Sequence, residues 1–159
     1  MMIKQTMKWL VFFITLTLSQ ITLADPHTII SNYSDLLAAL AKGNSVRALM
    51  TLNKCVSSSH SINSNDTLGG MNFTNFNKYQ ISIDGQQKNI IATSINMLIE
   101  HSKLGTIYNY VRLRIFEDNS AEVFSEYLDP KTYVQLGSAS FNCHLSDGKD
   151  KNGIVLYDL

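Results

Sequence analysis

The feature that most constrains this chain is its pair of cysteines, Cys55 and Cys143, the only two in 159 residues. A bond between them would close a loop of 88 positions and enclose most of the chain. Such a pair stays reduced in the cytosol and oxidises after export, so the N-terminus decides how it is read. Lys4 and Lys8 precede an apolar run from Trp9 to Leu18, and Thr22-Leu23-Ala24 puts small residues three and one positions before Asp25. These are the three regions of a secretory signal peptide, residues 1–24, cleaved after Ala24. The run is well short of the roughly 20 apolar residues that span a bilayer, so the mature form is expected to carry no transmembrane segment. No cysteine stands at the cleavage point, which disfavours a lipoprotein. The chain is expected to pass the inner membrane and to be soluble, periplasmic or secreted.

Export makes Cys55–Cys143 a disulfide, and chain entropy alone gives it an upper value of about 4–5 kcal/mol for a loop of this length. Zinc is the rival, because His60 and His144 are also present. Adjacent ligands at Cys143 and His144 would be strained, and the spacings match no usual zinc pattern. No metal and no cofactor is expected. Residues 25–159 number 135, which fits one domain with one core. They carry eleven basic and thirteen acidic side chains, a net charge of −2. That balance argues against nucleic acid, which demands a basic field, and offers no polybasic patch to anionic lipid.

Taken in order, Asp25 to Ser31 reads as an extended lead-in. Ser31 or Ser34 can cap an amphipathic helix through Leu36, Leu37, Leu40 and Ala41, with Gly43 placed to end it. Val46, Ala48, Met50 and Leu52 recur at period two, a strand that runs into Cys55. Val56 to Asp66 is rich in Ser and Asn and reads as a loop, and Gly69-Gly70 marks the return to regular structure. Tyr79, Ile81 and Ile83 alternate before an Asp84-Gly85 turn. Lys88 to His101 alternates longer, with Ile91, Thr93, Ile95, Met97 and Ile99 on one side.

Thr106 to Phe116 sets Ile107, Val111, Leu113 and Ile115 against Tyr108, Tyr110, Arg112, Arg114 and Phe116. Asp118-Asn119-Ser120 can turn the chain into Ala121–Leu128. Pairing Glu117 with Ala121 would put Arg112 opposite Glu126. Asp129-Pro130 ends that hairpin. Lys131 to Leu136 is a turn or short helix, Ser138 to Leu145 a strand with Cys143, and Ile154 to Tyr157 a last strand after a charged loop. The fold class is mainly β (α+β): an antiparallel meander of about seven strands, a curled sheet or half-barrel, with one N-terminal amphipathic helix.

This order of segments resembles the VirK family of small exported bacterial proteins. The resemblance is carried by Tyr33-Ser34-Asp35-Leu36-Leu37-Ala38-Ala39-Leu40 with Gly43, the strand into Cys55, and Gly69-Gly70. Further on it rests on Tyr110-Val111-Arg112-Leu113-Arg114, Glu117-Asp118-Asn119-Ser120, Leu128-Asp129-Pro130-Lys131-Thr132-Tyr133, and Phe141-Asn142-Cys143-His144-Leu145 ahead of Gly153. Asn119 departs from the glycine expected in the turn, and Ser146 to Asn152 lengthens the approach to Gly153. The family's name implies association with virulence, and the resemblance transfers no catalytic residue.

No nucleophile elbow, phosphate-cradling loop, His-Glu-x-x-His or Cys-x-x-Cys motif occurs. Cys143 and His144 cannot form a nucleophile–base pair, because successive strand residues face opposite ways. His101, beside Glu100, reads as a solvated strand end. The candidate partner-binding surface is Tyr108, Tyr110, Arg112 and Arg114, since Tyr and Arg anchor many interfaces. The plainer reading of the same face is a Tyr ladder with cross-strand ion pairs. Alternatively, a curled sheet lined by Ile91, Ile95, Ile107, Val111 and Leu113 could enclose a small apolar ligand, or those residues could simply fill it. Asn-x-Ser/Thr matches at Asn32, Asn65 and Asn72 are incidental in so Asn-rich a chain. The expectation is a virulence-associated binding or accessory protein engaging a protein or envelope component, with an apolar-ligand carrier as the alternative and an unrecognised hydrolase third.

Overall fold

Period-two apolar patterning dominates the chain, and the strands follow it. The structure, a computed structural model, describes residues 27–58, 68–150 and 152–159. The signal peptide expected at residues 1–24, His60 and Asn65 lie outside the described residues. Among the described residues ten strands are formed: β1 (Thr28–Ile30), β2 (Val46–Thr51), β3 (Val56–Ser57), β4 (Leu68–Asn72), β5 (Phe76–Ile83), β6 (Gln86–His101), β7 (Gly105–Phe116), β8 (Ser120–Leu128), β9 (Gln135–His144) and β10 (Ile154–Asp158). One helix, α1 (Tyr33–Ala41), follows β1, and a 3-10 turn, Leu52–Lys54, follows β2.

The mainly β, antiparallel character with one N-terminal helix is what the patterning predicts. The strands divide between two open sheets, in the orders β1-β10-β2-β4 and β3-β9-β8-β7-β6-β5. The larger sheet contains the expected meander, β5 through β9. β2 stays out of it because both of its edges are taken: Ala48 pairs with Leu156 of β10 on one side and with Met71 of β4 on the other. That row is buried, together with Val46 and Met50. It forms one core with Ile91, Leu113, Ile115, Val123 and Phe141 of the larger sheet. Removing such apolar side chains from water contributes about 1.5–3 kcal/mol each.

Asn32, rather than Ser31 or Ser34, caps α1. Its backbone is extended (φ −149°, ψ 163°) and its side chain accepts from Asp35 N at 2.9 Å, the geometry an N-cap requires. Gly43 ends the helix with φ 81°. Tyr33, Leu36, Ala39 and Leu40 face the core. The Asp84-Gly85 turn has φ 51° and 79°, the two positive values of a hairpin turn that suits strand twist. Val56 and Ser57, expected in a loop, instead pair with Asn142 and Phe141 at the edge of the larger sheet. Gly69 and Gly70 lie within β4, opposite Met50 and Leu49, and not at a boundary.

The β7–β8 register differs from expectation by two residues. Arg114 faces Glu122 and Arg112 faces Phe124, because the three-residue turn sits one position earlier, at Glu117–Asn119, with Asn119 N donating to Phe116 O at 2.9 Å. An even shift preserves which face each side chain takes. Asn119 itself holds φ 64°, a conformation Asn tolerates, and its Oδ1 accepts from Tyr33 N at 2.8 Å. The residue that departs from glycine therefore ties the first turn of the helix to the hairpin.

Cys55 and Cys143 are bonded, with S–S 2.08 Å and Cα–Cα 4.6 Å. Cys55 follows the turn that leaves β2, whereas Cys143 points inward from β9. Cys55 directly precedes β3, opposite Cys143 in the β3–β9 register, so the bond pins the link from β2 to the edge of the larger sheet. It does not seal a barrel, since each sheet keeps two edges.

Candidate functional site

The inner face of the larger sheet is a ladder of cross-strand rows. Ile91, Ile115, Ala121 and Cys143 make the first, and Thr93, Leu113, Val123 and Phe141 the second. All eight are buried, and the Thr93 hydroxyl is satisfied by donating to Asn75 O at 2.7 Å. The next two rows are Ile95, Val111, Ser125 and Ala139, then Met97, Asn109, Tyr127 and Gly137. Here the sheets part. Ile95 is 39% exposed and Met97 36%, although both belong to an inward-facing series.

The parting leaves a cleft of about 270 Å³ between β2 and β4 on one side and β6, β7, β8 and β9 on the other. Val111, Val123 and Phe141 line the larger-sheet wall. Met50 and Met71 face them from the smaller sheet, and Met97 stands toward the open end. These are the three methionines of residues 25–159. Unbranched, polarizable Met side chains fill irregular space and adapt to what they touch. Of the five residues expected to line an apolar interior, Ile95 and Val111 do so, whereas Ile91, Ile107 and Leu113 are fully buried and lie outside the lining.

Polar groups enter this cleft from one wall. Ser125 Oγ lies 2.9 Å from Asn109 Oδ1 and donates to it. The Tyr127 ring joins them, packed on its other side against His101 with centroids 5.3 Å apart. His101 is not merely a solvated strand end, because its Nδ1 accepts from Lys103 N and Leu104 N at 3.3 and 3.2 Å and shapes the β6–β7 turn.

Tyr108, Tyr110, Arg112 and Arg114 share the opposite face of β7, as alternation requires. Tyr108 stacks on Tyr133, with centroids 5.8 Å apart and planes 9° from parallel. Arg112 donates to Glu122 Oε1 at 2.8 Å and lies 5.1 Å over the Phe124 ring, while Arg114 reaches the same oxygen at 3.6 Å. Two half-buried guanidinium groups thus share one carboxylate, and the Nε of each is buried without a partner.

Titration is perturbed at the turns. Asp118 is lowered to about 2, chiefly by its hydrogen bond to Lys88, then by Ser120. The Asp129 carboxyl is lowered by the backbone N–H of Thr132, and the Asp150 carboxyl by the Ser146 hydroxyl. Burial raises the Tyr33 phenol, with Glu117 adding to it. Cys143 points into the core and His144 outward, and both cysteine sulfurs are held in the disulfide. Among the described residues no three His, Cys, Asp or Glu side chains gather as a metal site, and no helix is long and apolar enough to cross a membrane.

Sequence reasoning overlooked Asn109, Ser125 and Tyr127. Their signal was an Asn interrupting the apolar series Ile107, Val111, Leu113 and Ile115, opposite a strand whose same-face series turns polar at Ser125.

Two open antiparallel sheets that share one core and part around an apolar cleft define a small two-sheet β protein with a concave, mainly apolar site. The VirK protein family model matches residues 29–133, and the chain belongs to the VirK family. Cys143 lies beyond the matched residues. The crystal structure of lpg1832, a VirK family protein from Legionella pneumophila, has a similar fold, with a TM-score of 0.62 at 17% identity, covering 81% of this chain and 98% of that one. No curated protein matches the chain.

Proposed function

We propose that this VirK family chain is an exported binding protein that holds an apolar group of an envelope component between its two sheets. The observation that carries the reading is the cleft. Inward-facing Ile95 and Met97 remain more than one-third exposed, at a concavity lined mainly by apolar side chains. Leaving such surface in water forgoes about 25 cal/mol per Å², and a concave apolar site with a few polar groups is the usual form of a small-ligand site. Export is supported by the leader pattern at residues 1–24 and by the disulfide.

N-phenyl-1-naphthylamine, a neutral dye that brightens in apolar surroundings, tests this. Its fluorescence should rise saturably with the wild-type protein and stay near the free-dye level with Val111→Trp, which fills the cleft. No rise with folded wild-type protein would refute the reading.

A protein partner on the Tyr108, Tyr110, Arg112 and Arg114 face is a second reading. It is favoured by the two guanidinium groups that share a single carboxylate, since a partner's acidic group could supply the missing charge. Tyr110→Ala with Arg114→Gln should abolish capture of that partner from envelope extracts while the thermal melt is retained. Undiminished capture would exclude this face.

A further inference from the structure

The cleft has a chemical direction, which narrows what it can hold. Its floor is hydrocarbon, from Val123, Phe141, Val111 and Met50. Asn109 and Tyr127 share one row with Met97, beyond the row of Ile95, Val111 and Ser125. Asn109 Oδ1 is occupied by the Ser125 hydroxyl, which turns the amide so that Nδ2 is free. Neither Asn109 Nδ2 nor the Tyr127 hydroxyl donates to any described residue, and neither is shut away from solvent. Two hydrogen-bond donors therefore stand beside an apolar pocket that offers them no acceptor. Among the described residues no charged side chain lines the pocket, so toward these residues a ligand's complementary group need only be a hydrogen-bond acceptor.

Volume sets the length of the apolar part. An apolar cavity of roughly 150 Å³ takes the six carbons of benzene, so 270 Å³ has room for about ten carbons on the same scale. Three flexible methionines in the lining suit a chain of many conformations better than a rigid ring system. We infer that the cleft binds a medium-chain acyl group, its hydrocarbon against Met50, Val123 and Phe141 and its carbonyl oxygen accepting from Asn109 Nδ2 and the Tyr127 hydroxyl. This rests on the apolar-cleft reading and adds to it a ligand class and the residues that select it. A free fatty acid and an acyl ester present the same oxygen.

Displacement of N-phenyl-1-naphthylamine separates the two levels. Decanoic acid and monodecanoylglycerol are each titrated against the dye-loaded protein, in the wild type, Asn109→Ala and Tyr127→Phe. Each substitution removes one hydrogen bond and should weaken the decanoyl compounds about three- to tenfold while dye affinity and the thermal melt hold. Tyr127→Phe keeps the ring and its contact with His101, so a fold defect in Asn109→Ala would not decide the matter. Displacement by the acid alone assigns the site to free fatty acids, by the ester alone to acyl esters, and by both to the carbonyl they share. Dye binding without displacement by either compound, or displacement equally strong in both variants, overturns the acyl assignment and leaves the apolar cleft standing. Failure of the dye to bind removes the cleft reading and this inference together.

Discussion

Gly153 lies against Cys55 so closely that a β-carbon at position 153 would overlap the Cys55 sulfur, and it would also stand 3.1 Å from Thr51 O. Gly153 O accepts from Thr51 N at 2.7 Å, so the backbone at this position cannot easily withdraw. The glycine is thus the space in which the disulfide sits. Gly153→Ala should destabilise the protein by more than about 2 kcal/mol, since overpacking a tight site costs about 1–3 kcal/mol and the sulfur is pinned by its bond. Urea denaturation of the oxidised protein measures it, and a loss under 0.5 kcal/mol would show that the site has slack.

Replacing both cysteines by serine should lower stability by up to about 4–5 kcal/mol, the chain-entropy value for a loop of this size. The oxidised wild type should show no titratable thiol before reduction.

Asn119 has two separable duties. Asn119→Gly keeps the positive φ but loses the acceptor for Tyr33 N, and should cost about 1 kcal/mol, the worth of one hydrogen bond. Asn119→Ala loses the acceptor and also strains the turn, adding about 1–2 kcal/mol. Equal melting temperatures for the two variants would count against this division.

Asp118 supplies a pH dependence. Its carboxyl is lowered to about 2 by Lys88 and then by Ser120, against an unfolded value of about 3.9. A depressed carboxyl stabilises the fold above its unfolded pKa and loses that contribution as pH falls through its folded one. Asp118→Asn should therefore cost stability at pH 7 and progressively less as pH falls from about 4 through 2. With its side chain 46% exposed, screening keeps the cost at pH 7 below about 1 kcal/mol. A difference undiminished between pH 7 and pH 2 would assign the effect to packing.

The legible part of this protein was local. Alternation in Lys88–His101 and Thr106–Phe116 placed β6 and β7 and separated the Ile107–Ile115 series from the Tyr108–Arg114 series, because period two alone sets the face. The two-sheet division was not legible, since whether β2 joins the meander depends on β10, which arrives about a hundred residues later to take its edge. Loop-closing pairings of that range leave no local trace. The cleft was hidden for a related reason: Ile95 and Met97 carry the same pattern as buried Ile91, and only the reach of the smaller sheet decides which are covered. The Arg112 register differs by two residues because the three-residue turn ends on Asn119, which takes the positive φ, instead of on Ser120.

Methionine methyl NMR tests the cleft most directly, because Met50, Met71 and Met97 are the three methionines of the chain beyond residue 24 and all line it from two sheets. With methyl-labelled protein purified after export, adding N-phenyl-1-naphthylamine or monodecanoylglycerol should shift all three resonances along one saturation curve. Three resonances that stay fixed while either compound is bound elsewhere would contradict a ligand site between the sheets.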